Sequence, residues 1–330
     1  MKRIIFILIL LIMVFTLLDY GLAADAKYEF LIKACVPTVA GEPPTIAMQR
    51  FAELVEEKSR GRIKFEVYIG GALGNDRDLI EGLQLGTVQV HMASNSPLAV
   101  FVPELMIFEM PFLFESDEHF NAVLDSDIAM SFIPALEKEG FHLLGYWNFG
   151  VRHIMTAEKA INSMEDLKGL KIRLMECPSH LDAYKAYGAS PLPMAYSELY
   201  TALETGVIDG AEAANSNYWG HKFYEVAPNW AIVGWLRLVA PLIMSKAFYD
   251  KLPVDLQKIV DDAARDVTPY ERDLYSKMDE QRLGQLIEKG VKVTYPDKTL
   301  FMEASKIVFD KWEDKIGGSE KVKAILDFEY

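Results

Sequence analysis

The sequence predicts an α/β protein built from two lobes that enclose a cleft. Three observations lead to this prediction. Strand-like runs alternate with helical patterns through both halves of the chain, which is typical of βαβ units with a largely parallel sheet. The 330 residues, 51% of them hydrophobic, suffice for about two domains with separate cores. A helical pattern near the C-terminus is long enough to run across two lobes.

The N-terminus resembles a secretory signal in composition. Lys2 and Arg3 precede an apolar run at residues 4–18, which is shorter than the roughly 20 residues of a membrane span. Small residues follow the run. This order predicts a signal peptide at residues 1–24, cleaved near Ala23 or Ala24, and a retained membrane anchor is the alternative. We therefore expect an exported mature protein.

The first half of the mature chain is predicted from apolar spacing. Met48, Phe51 and Val55 recur at helical intervals, whereas residues 63–68 alternate between apolar and polar. The predicted elements are a strand at 28–36, a helix at 46–58, a strand at 63–68, a glycine-rich turn at 70–74, a helix at 76–85 closed by Gly86, and a strand at 88–93.

The second half shows the same alternation with a different sequence. The predicted elements are strands at 141–146, 153–156 and 169–174, a capped turn at 163–167, helices at 180–187 and 197–205, and a long helix at 256–286. Pro269 lies inside the long pattern and predicts a kink, because proline removes one backbone hydrogen bond.

Composition and spacing exclude several classes of function. The 34 Lys and Arg residues against 48 Asp and Glu give a net charge of −14, which argues against a nucleic-acid partner. The six histidines include no pair three or four residues apart, so the helical metalloprotease pattern is absent. Nucleotide-binding and serine-hydrolase motifs are absent as well. We predict no metal, no cofactor and no catalytic residue.

Two cysteines are too few for a disulfide framework or a four-thiolate zinc site. Cys35 and Cys177 lie in apolar, strand-like contexts. Export would allow a bridge between them, and two buried free thiols are the alternative.

Two arginines on predicted strands are the most informative polar residues. Arg152 and Arg173 each lie in a segment that is otherwise largely apolar. A buried arginine needs an anion, and near the carboxyl end of a strand its guanidinium can hold a carboxylate with two parallel hydrogen bonds. An exposed edge position or a structural ion pair is the alternative. A downstream group of aromatic residues should mostly belong to the core, with one or two lining a pocket: Tyr196, Tyr200, Tyr218, Trp219, Trp230 and Trp235.

Several segments together resemble the solute-binding proteins of TRAP transporters, the DctP-like family. The resemblance covers essentially the whole mature chain. Its segments are residues 73–76 (LGND), 110–114 (MPFLF), 152–156 (RHIMT), 161–173 (INSMEDLKGLKIR), 188–206 (GASPLPMAYSELYTALETG) and 208–212 (IDGAE).

The resemblance implies a two-lobed periplasmic-binding-protein fold, each lobe a mixed sheet flanked by helices. It also implies a periplasmic receptor, not an enzyme, that captures a small organic anion and delivers it to the small and large subunits of a membrane permease. The anion would be a carboxylate such as a C4-dicarboxylate or a sugar acid, or a sulfonate. We place lobe I at residues 25–150 and about 237–275, and lobe II at residues 151–236 and about 276–330.

The family's binding residues are transferred by position. Arg173 would be the carboxylate clamp, Arg152 a second contact and Tyr196 an aromatic wall, while Ser94 and Asn95 would add polar contacts from the opposite lobe. Glu212 lies in the same block of the sequence and is included in the expected site.

The chain departs from the family pattern at two positions. Ala213 occupies a place where many members have a ligand-binding asparagine, and Asn215 or Asn217 could substitute for it. Trp235 stands where many members have a histidine, which together with Trp219 predicts a more aromatic pocket. Two other functions stay open from the sequence alone: the ligand-binding input of a periplasmic sensory system, and an exported hydrolase that uses an acidic residue.

Overall fold

The computed structural model describes residues 28–330, which form a mixed α/β architecture around one sheet. The predicted signal peptide lies outside the described residues. No helix within 28–330 combines the length and the apolar character that a membrane crossing requires.

The strands and helices are numbered here in chain order. The strands are β1 Phe30–Cys35, β2 Ile63–Tyr68, β3 Val90–Met92, β4 Phe141–Thr156, β5 Lys171–Leu174, β6 Ser190–Pro193, β7 Gly210–Ala213, β8 Asn229–Ser245 and β9 Lys292–Thr294. The helices are α1 Pro43–Lys58, α2 Asp76–Leu85, α3 Asn95–Phe101, α4 Asp117–Leu124, α5 Asp127–Met130, α6 Ile133–Lys138, α7 Pro178–Ala186, α8 Leu199–Glu204, α9 Asn215–Gly220, α10 Lys246–Tyr249, α11 Val254–Glu288, α12 Lys298–Trp312 and α13 Ser319–Leu326.

The elements of the first half follow the sequence predictions closely. Strand β2 and helix α2 have the predicted bounds. The Asn75 side chain accepts from the backbone N–H of Asp78, whose carboxylate accepts from the Asn75 N–H, which fixes the start of α2. Gly86 ends the helix in the left-handed conformation at φ 77°, where glycine has no steric penalty.

The centre of the sheet differs from the prediction. Residues 141–146 and 153–156, predicted as separate strands, belong to the single 16-residue strand β4. Its pairing with β8 shifts in register between Asn148 and Val151, where Gly150 has a left-handed φ of 82°. The irregular middle therefore interrupts the sequence pattern without ending the strand. Strand β8 was not identified from the sequence, because its buried, nearly continuous apolar run has no clear alternation.

The two long strands β4 and β8 pair with each other at the centre of the sheet. One group of shorter strands (β3, β1, β2) extends from β8, and another (β7, β5, β6) extends from β4. The strand order is β2-β1-β3-β8-β4-β7-β5-β6, with β9 also paired to β8. Strand β3 pairs with β8 at Leu242–Met244, whereas β7 pairs with β4 at His153–Thr156. The family resemblance implies a mixed sheet in each lobe, and each group together with its long strand is mixed, with hydrogen bonding continuous between them through β8 and β4. The boundaries of the lobes stay a prediction.

Helix α11 confirms the predicted long helix. It has 35 residues, which corresponds to roughly 50 Å, and continues through Pro269. It contacts α1, α9 and β4, and so touches elements from both predicted lobes. The kink at Pro269 stays a prediction.

Both cysteines are free thiols in buried positions. Cys177 Sγ lies 3.5 Å from Met106 Sδ and 3.2 Å from Ser179 Oγ. The bridge that the sequence allowed is therefore not formed, and the free-thiol alternative describes this structure.

Candidate functional site

A cavity of about 350 Å³ lies between the two groups of strands, a size that suits a small-molecule ligand. Its wall contains the residues that follow the carboxyl ends of parallel strands: Pro37 after β1, Ser94 after β3, Met175 after β5 and Met194 after β6. Ligands of open α/β sheets bind at such ends. The other lining residues are Val39, Gly70, Gly71, Gly74, Asn75, Asp76, Arg77, Pro97, Phe149, Arg152, Arg173, Glu176, Ala195, Tyr196, Ser197, Tyr200, Asn217, His221 and Phe223.

Arg173 is a buried cation with spare hydrogen-bonding capacity. Its side chain is 2% exposed, and its Nε donates to the Met194 carbonyl oxygen at 2.9 Å. Nη1 has no hydrogen-bond partner in the described part of the chain and lies 3.7 Å from Glu212 Oε1. Burial lowers the pKa of Arg173, and the charge of Glu212 opposes this shift. Because buried donors are normally paired, this guanidinium is suited to receive an anion.

Arg152 also lines the cavity, but protein atoms hold each of its nitrogens. Nε donates to Glu212 Oε2 at 2.5 Å, Nη1 to Asn217 Oδ1 at 3.0 Å, and Nη2 to the Glu212 carbonyl oxygen at 3.3 Å. Burial lowers the pKa of Arg152, but the charge of Glu212 outweighs it and the net shift is upward. The side chain is thus fixed in one position beside the cavity.

Glu212 on β7 joins the two arginines into a group that we call the clamp cluster: Arg152, Arg173 and Glu212. Its side chain is completely buried. Burial raises the pKa of Glu212, but the two guanidinium groups outweigh it and lower the pKa, so the carboxyl is ionised. Two positive groups facing one negative group leave one positive charge without a partner inside the cluster.

Tyr196 and His221 add unpartnered polar atoms to the same wall. The Tyr196 hydroxyl and His221 Nε2 are buried without hydrogen-bond partners among the described residues. The Arg173 guanidinium lies 5.7 Å from the centre of the Tyr196 ring. Burial lowers the pKa of His221 to about 4, so its ring is neutral at physiological pH and can donate and accept.

The opposite wall is acidic. Asp76 Oδ2 accepts from Ser94 Oγ at 2.9 Å, and Asp76 Oδ1 lies 2.9 Å from His91 Nε2. Arg77 on α2 donates to Glu176 beyond β5 at 3.3 Å, which ties the two sides of the cavity together near solvent.

Six residues that the sequence singles out as possible ligand or pocket residues line this cavity: Arg173, Arg152, Tyr196, Tyr200, Ser94 and Asn217. Asp76, Arg77, Glu176 and His221 were not expected. Asp76 belongs to a segment that carries the family resemblance, but the sequence pattern indicates only that it begins a helix.

Asn95 and Asn215 lie outside the cavity wall, and the NH₂ group of each amide donates to protein oxygens. Asn95 Nδ2 donates to the Leu105 carbonyl oxygen at 3.1 Å and to Glu109 Oε1 at 2.6 Å. Asn215 donates to Asp279 at 2.9 Å and accepts from Trp230 Nε1 at 2.9 Å. Asn217, the other substitute considered for the missing asparagine, does line the cavity.

Trp219, Trp235 and Glu212 also lie outside the cavity wall. Trp235 packs against the rings of His180 and Tyr184, with centroids 4.8 and 5.2 Å away. Trp219 stacks under Arg282 at 5.3 Å. Glu212 lies behind the arginines and not on the cavity surface. The more aromatic pocket predicted from the two tryptophans is therefore not formed by them.

A second buried group, which we call the enclosed cluster, consists of Glu109, Cys177 and His180. Their oxygen, sulfur and nitrogen atoms lie within 4.8 Å of one another, a donor set that a metal ion could use. However, Glu109 Oε2 already accepts from Ser96 Oγ at 2.7 Å and lies 2.7 Å from His180 Nε2. These direct contacts describe an ion pair that leaves little room for an ion between the groups.

Known bacterial proteins are similar to this chain over most of its length. The family model described as bacterial extracellular solute-binding protein, family 7 (DctP), matches residues 38–315. A solute-binding protein of Verminephrobacter eiseniae is 35% identical over 295 residues, covering 89% of this chain and 88% of that protein. The 2,3-diketo-L-gulonate-binding periplasmic protein YiaO of Escherichia coli is 30% identical over 260 residues, covering 78% of this chain and 79% of that protein.

Two solved structures bound to different ligands are similar along nearly their whole length. The sugar acid binding protein DctPAm of Advenella mimigardefordensis, in complex with galactonate, has a TM-score of 0.88 and 31% identity, with 92% of this chain and 98% of that chain covered. A TRAP periplasmic solute-binding protein of Sulfurospirillum deleyianum with bound succinate has a TM-score of 0.87 and 30% identity, with 92% and 100% covered.

Proposed function

Because the chain belongs to family 7 of the bacterial extracellular solute-binding proteins, the DctP proteins of TRAP transporters, we propose that its cavity captures one small organic anion through Arg173. The observation that carries the proposal is the buried Arg173 Nη1, which has no hydrogen-bond partner among residues 28–330, on a residue that lines the cavity. A carboxylate would supply that partner and neutralise the surplus charge of the clamp cluster.

The distribution of charge favours a ligand with a single negative group. The clamp cluster has one unbalanced positive charge, whereas the opposite wall presents Asp76. Arg77, the cation on that side, is already paired with Glu176. A second carboxylate would therefore meet acidic groups, while ligand hydroxyls could donate to Asp76 and exchange hydrogen bonds with Tyr196 and His221.

We therefore propose a polyhydroxy monocarboxylate, a sugar acid, in preference to a C4-dicarboxylate. Similar proteins of known structure support this class: one holds galactonate and another, from Sulfitobacter, holds β-D-galacturonate. A monosulfonate has the same single charge and belongs in the same test.

In the cell, this receptor would work in the periplasm and deliver its ligand to the small and large subunits of a TRAP permease. Such a role predicts that the ligand leaves the protein chemically unchanged. Recovery of an altered compound after long incubation would instead indicate an enzyme.

A thermal-shift screen followed by calorimetric titration tests the proposal. The panel contains D-galactonate, D-galacturonate, D-glucuronate, D-erythronate, succinate, a small hydroxysulfonate and the uncharged methyl galactoside. A ligand at 100 times its Kd adds about 2.7 kcal/mol to the free energy of unfolding, so a true ligand raises the Tm clearly.

We expect at least one sugar acid to bind, with succinate weaker and methyl galactoside inactive. Equal binding of the uncharged sugar would contradict the arginine clamp. Stronger binding of succinate would contradict the single-charge argument but leave the clamp in place.

A further inference from the structure

A buried chain of polar side chains leads from the clamp cluster to the opposite side of the cleft. Arg152 Nη1 donates to Asn217 Oδ1 at 3.0 Å, and Asn217 Nδ2 donates to Glu42 Oε2 at 3.0 Å. Asn217 and Glu42 are 1% and 4% exposed. Glu42 precedes α1 in predicted lobe I, whereas Asn217 and Arg152 belong to predicted lobe II. These hydrogen bonds therefore connect the two predicted lobes along the cavity wall, because Arg152 and Asn217 line the cavity and Glu42 lies behind them.

The chemistry of the neighbours fixes the direction of the Asn217 amide. The Arg152 guanidinium has only donors, and the Tyr275 hydroxyl also donates to Asn217 Oδ1, at 3.3 Å. The amide oxygen must face these groups, so the amide NH₂ must face Glu42. An asparagine at this position can satisfy the clamp and hold the opposite lobe at the same time.

We propose that Asn217 is a positioning residue that couples capture of the anion at Arg173 to closure of the lobes, by linking the clamp cluster to Glu42. The inference rests on the proposed function. An anion seated at Arg173 balances the charge of the cluster, and Arg152 holds the Asn217 amide in the orientation that binds the Glu42 carboxyl of the approaching lobe.

The backbone at the end of α9 is shaped for this contact. A Cβ added to Gly220 would overlap the Glu42 carboxyl group, with Cδ only 2.7 Å away. His221, the next residue, brings Nε2 to 3.5 Å from Glu42 Oε1. The close approach of Glu42 to α9 thus requires glycine at this position.

Glu42 and Gly220 allow a test that leaves the cavity wall intact, since neither is a lining residue. The variants are Glu42→Ala, Glu42→Gln and Gly220→Ala. Gly284→Ala is the matched control, because Gly284 also lies in a helix and has no neighbour within 4 Å of an added Cβ. Each variant and the mature wild-type chain is titrated with the sugar acid of the panel that the wild type binds most tightly. Stopped-flow kinetics gives the two rate constants, and small-angle X-ray scattering gives the radius of gyration with and without ligand.

We expect Glu42→Ala and Gly220→Ala to weaken binding by about tenfold or more, through faster dissociation, and to reduce the ligand-induced contraction. The association rate constant should change less than threefold, because the residues of the clamp cluster are not altered. Glu42→Gln keeps an acceptor for Asn217 and should behave like the wild type, as should Gly284→Ala.

The remaining outcomes overturn the inference. Wild-type affinity and contraction in Glu42→Ala and Gly220→Ala would remove the coupling and leave the proposed function standing. A loss in Glu42→Gln as large as in Glu42→Ala would show that charge, not the amide contact, matters. If the wild type binds no member of the panel, the proposed function fails and this inference fails with it.

Discussion

The clamp cluster and the enclosed cluster are both buried ionic groups, but only the first borders the cavity and carries an unbalanced charge. In the clamp cluster, Arg173 Nη1 lies 3.7 Å from Glu212 Oε1 but has no hydrogen-bond partner within the described chain, and two positive charges face one negative charge. In the enclosed cluster, Glu109 accepts from Asn95 and Ser96 and pairs with His180, and all of these side chains lie away from the cavity.

The difference teaches that burial of charge does not by itself identify a binding site. A buried ion pair whose charges balance away from the cavity contributes to the folded structure, whereas a buried surplus charge beside a cavity is arranged for a ligand. Substitutions in the two clusters should therefore affect different properties, namely stability in one and affinity in the other.

The largest effect is expected from Glu109→Ala. This change leaves His180 without its anion and removes the acceptor of Asn95 and Ser96, so unfolding should become easier by about 3–5 kcal/mol. Chemical denaturation measures it. Glu104→Ala, on the same segment but exposed, is the control and should change stability little. If Glu109→Ala and Glu104→Ala have the same free energy of unfolding, the enclosed cluster does not stabilise the fold.

The pH dependence of stability should sharpen this result. Burial lowers the pKa of His180, but Cys177 and Glu109 outweigh it and raise the pKa to about 10, above the ordinary 6.5. The contribution of the ionised His180 to the free energy of unfolding is therefore fully present below pH 6.5 and is lost as the pH rises towards 10.

Other groups titrate in part of this range. Burial raises the pKa values of Glu42 and Glu271 to about 8. As the pH rises, their ionisation reduces the free energy of unfolding, and this reduction is complete by about pH 8. We expect the wild type to lose stability between pH 8 and 9, and His180→Gln to show a flatter profile there. Parallel denaturation profiles of the two proteins would contradict an ionised His180.

In the clamp cluster, Arg173→Ala should reduce affinity at least a hundredfold, or about 2.7 kcal/mol. The free energy of unfolding of the ligand-free protein should stay nearly unchanged, because the pair of Arg152 and Glu212 survives. Calorimetric titration and denaturation measure the two quantities. Lys171→Ala, exposed on the same strand, is the matched control.

Arg173→Lys should not restore binding, because a single ammonium cannot reproduce two parallel hydrogen bonds to a carboxylate. Unaltered affinity in Arg173→Ala would remove the clamp from the proposed site.

The smallest effect is expected from Tyr196→Phe. The ring beside Arg173 remains, and only the unpartnered hydroxyl is lost, so affinity should fall by about three- to tenfold. Tyr270→Phe, at an exposed position, is the control. If the affinity of Tyr196→Phe equals that of the wild type, the hydroxyl does not contact the ligand.

Local patterns predicted the fold well where one face of an element is buried. Strand β2 alternates between apolar and polar residues, and helix α2 begins with a capping box. The sequence therefore predicts where these two elements begin and end. Strand β8 is buried almost throughout, so its pattern does not reveal the strand. Hydrogen bonding between the two groups of strands runs through β8 and β4, so the sequence pattern does not reveal that continuity.

The family resemblance predicts which residue types belong to the candidate site. It does not predict the direction in which each side chain points. Ser94 faces the cavity, while the adjacent Asn95 points to Glu109. Neighbouring side chains leave the backbone in different directions, and a motif does not encode which one reaches a ligand. Gly220 and Glu42 lie 178 positions apart, so their contact appears only after folding.

The passage of β4 and β8 through both halves limits how such a molecule can be divided. A fragment that ends at residue 150 would lack β8, which pairs with β3 on one side and β4 on the other. Its unpaired strand edges would invite aggregation. Exchanging halves between relatives to create new specificities should therefore succeed only when both long strands are taken from the same parent.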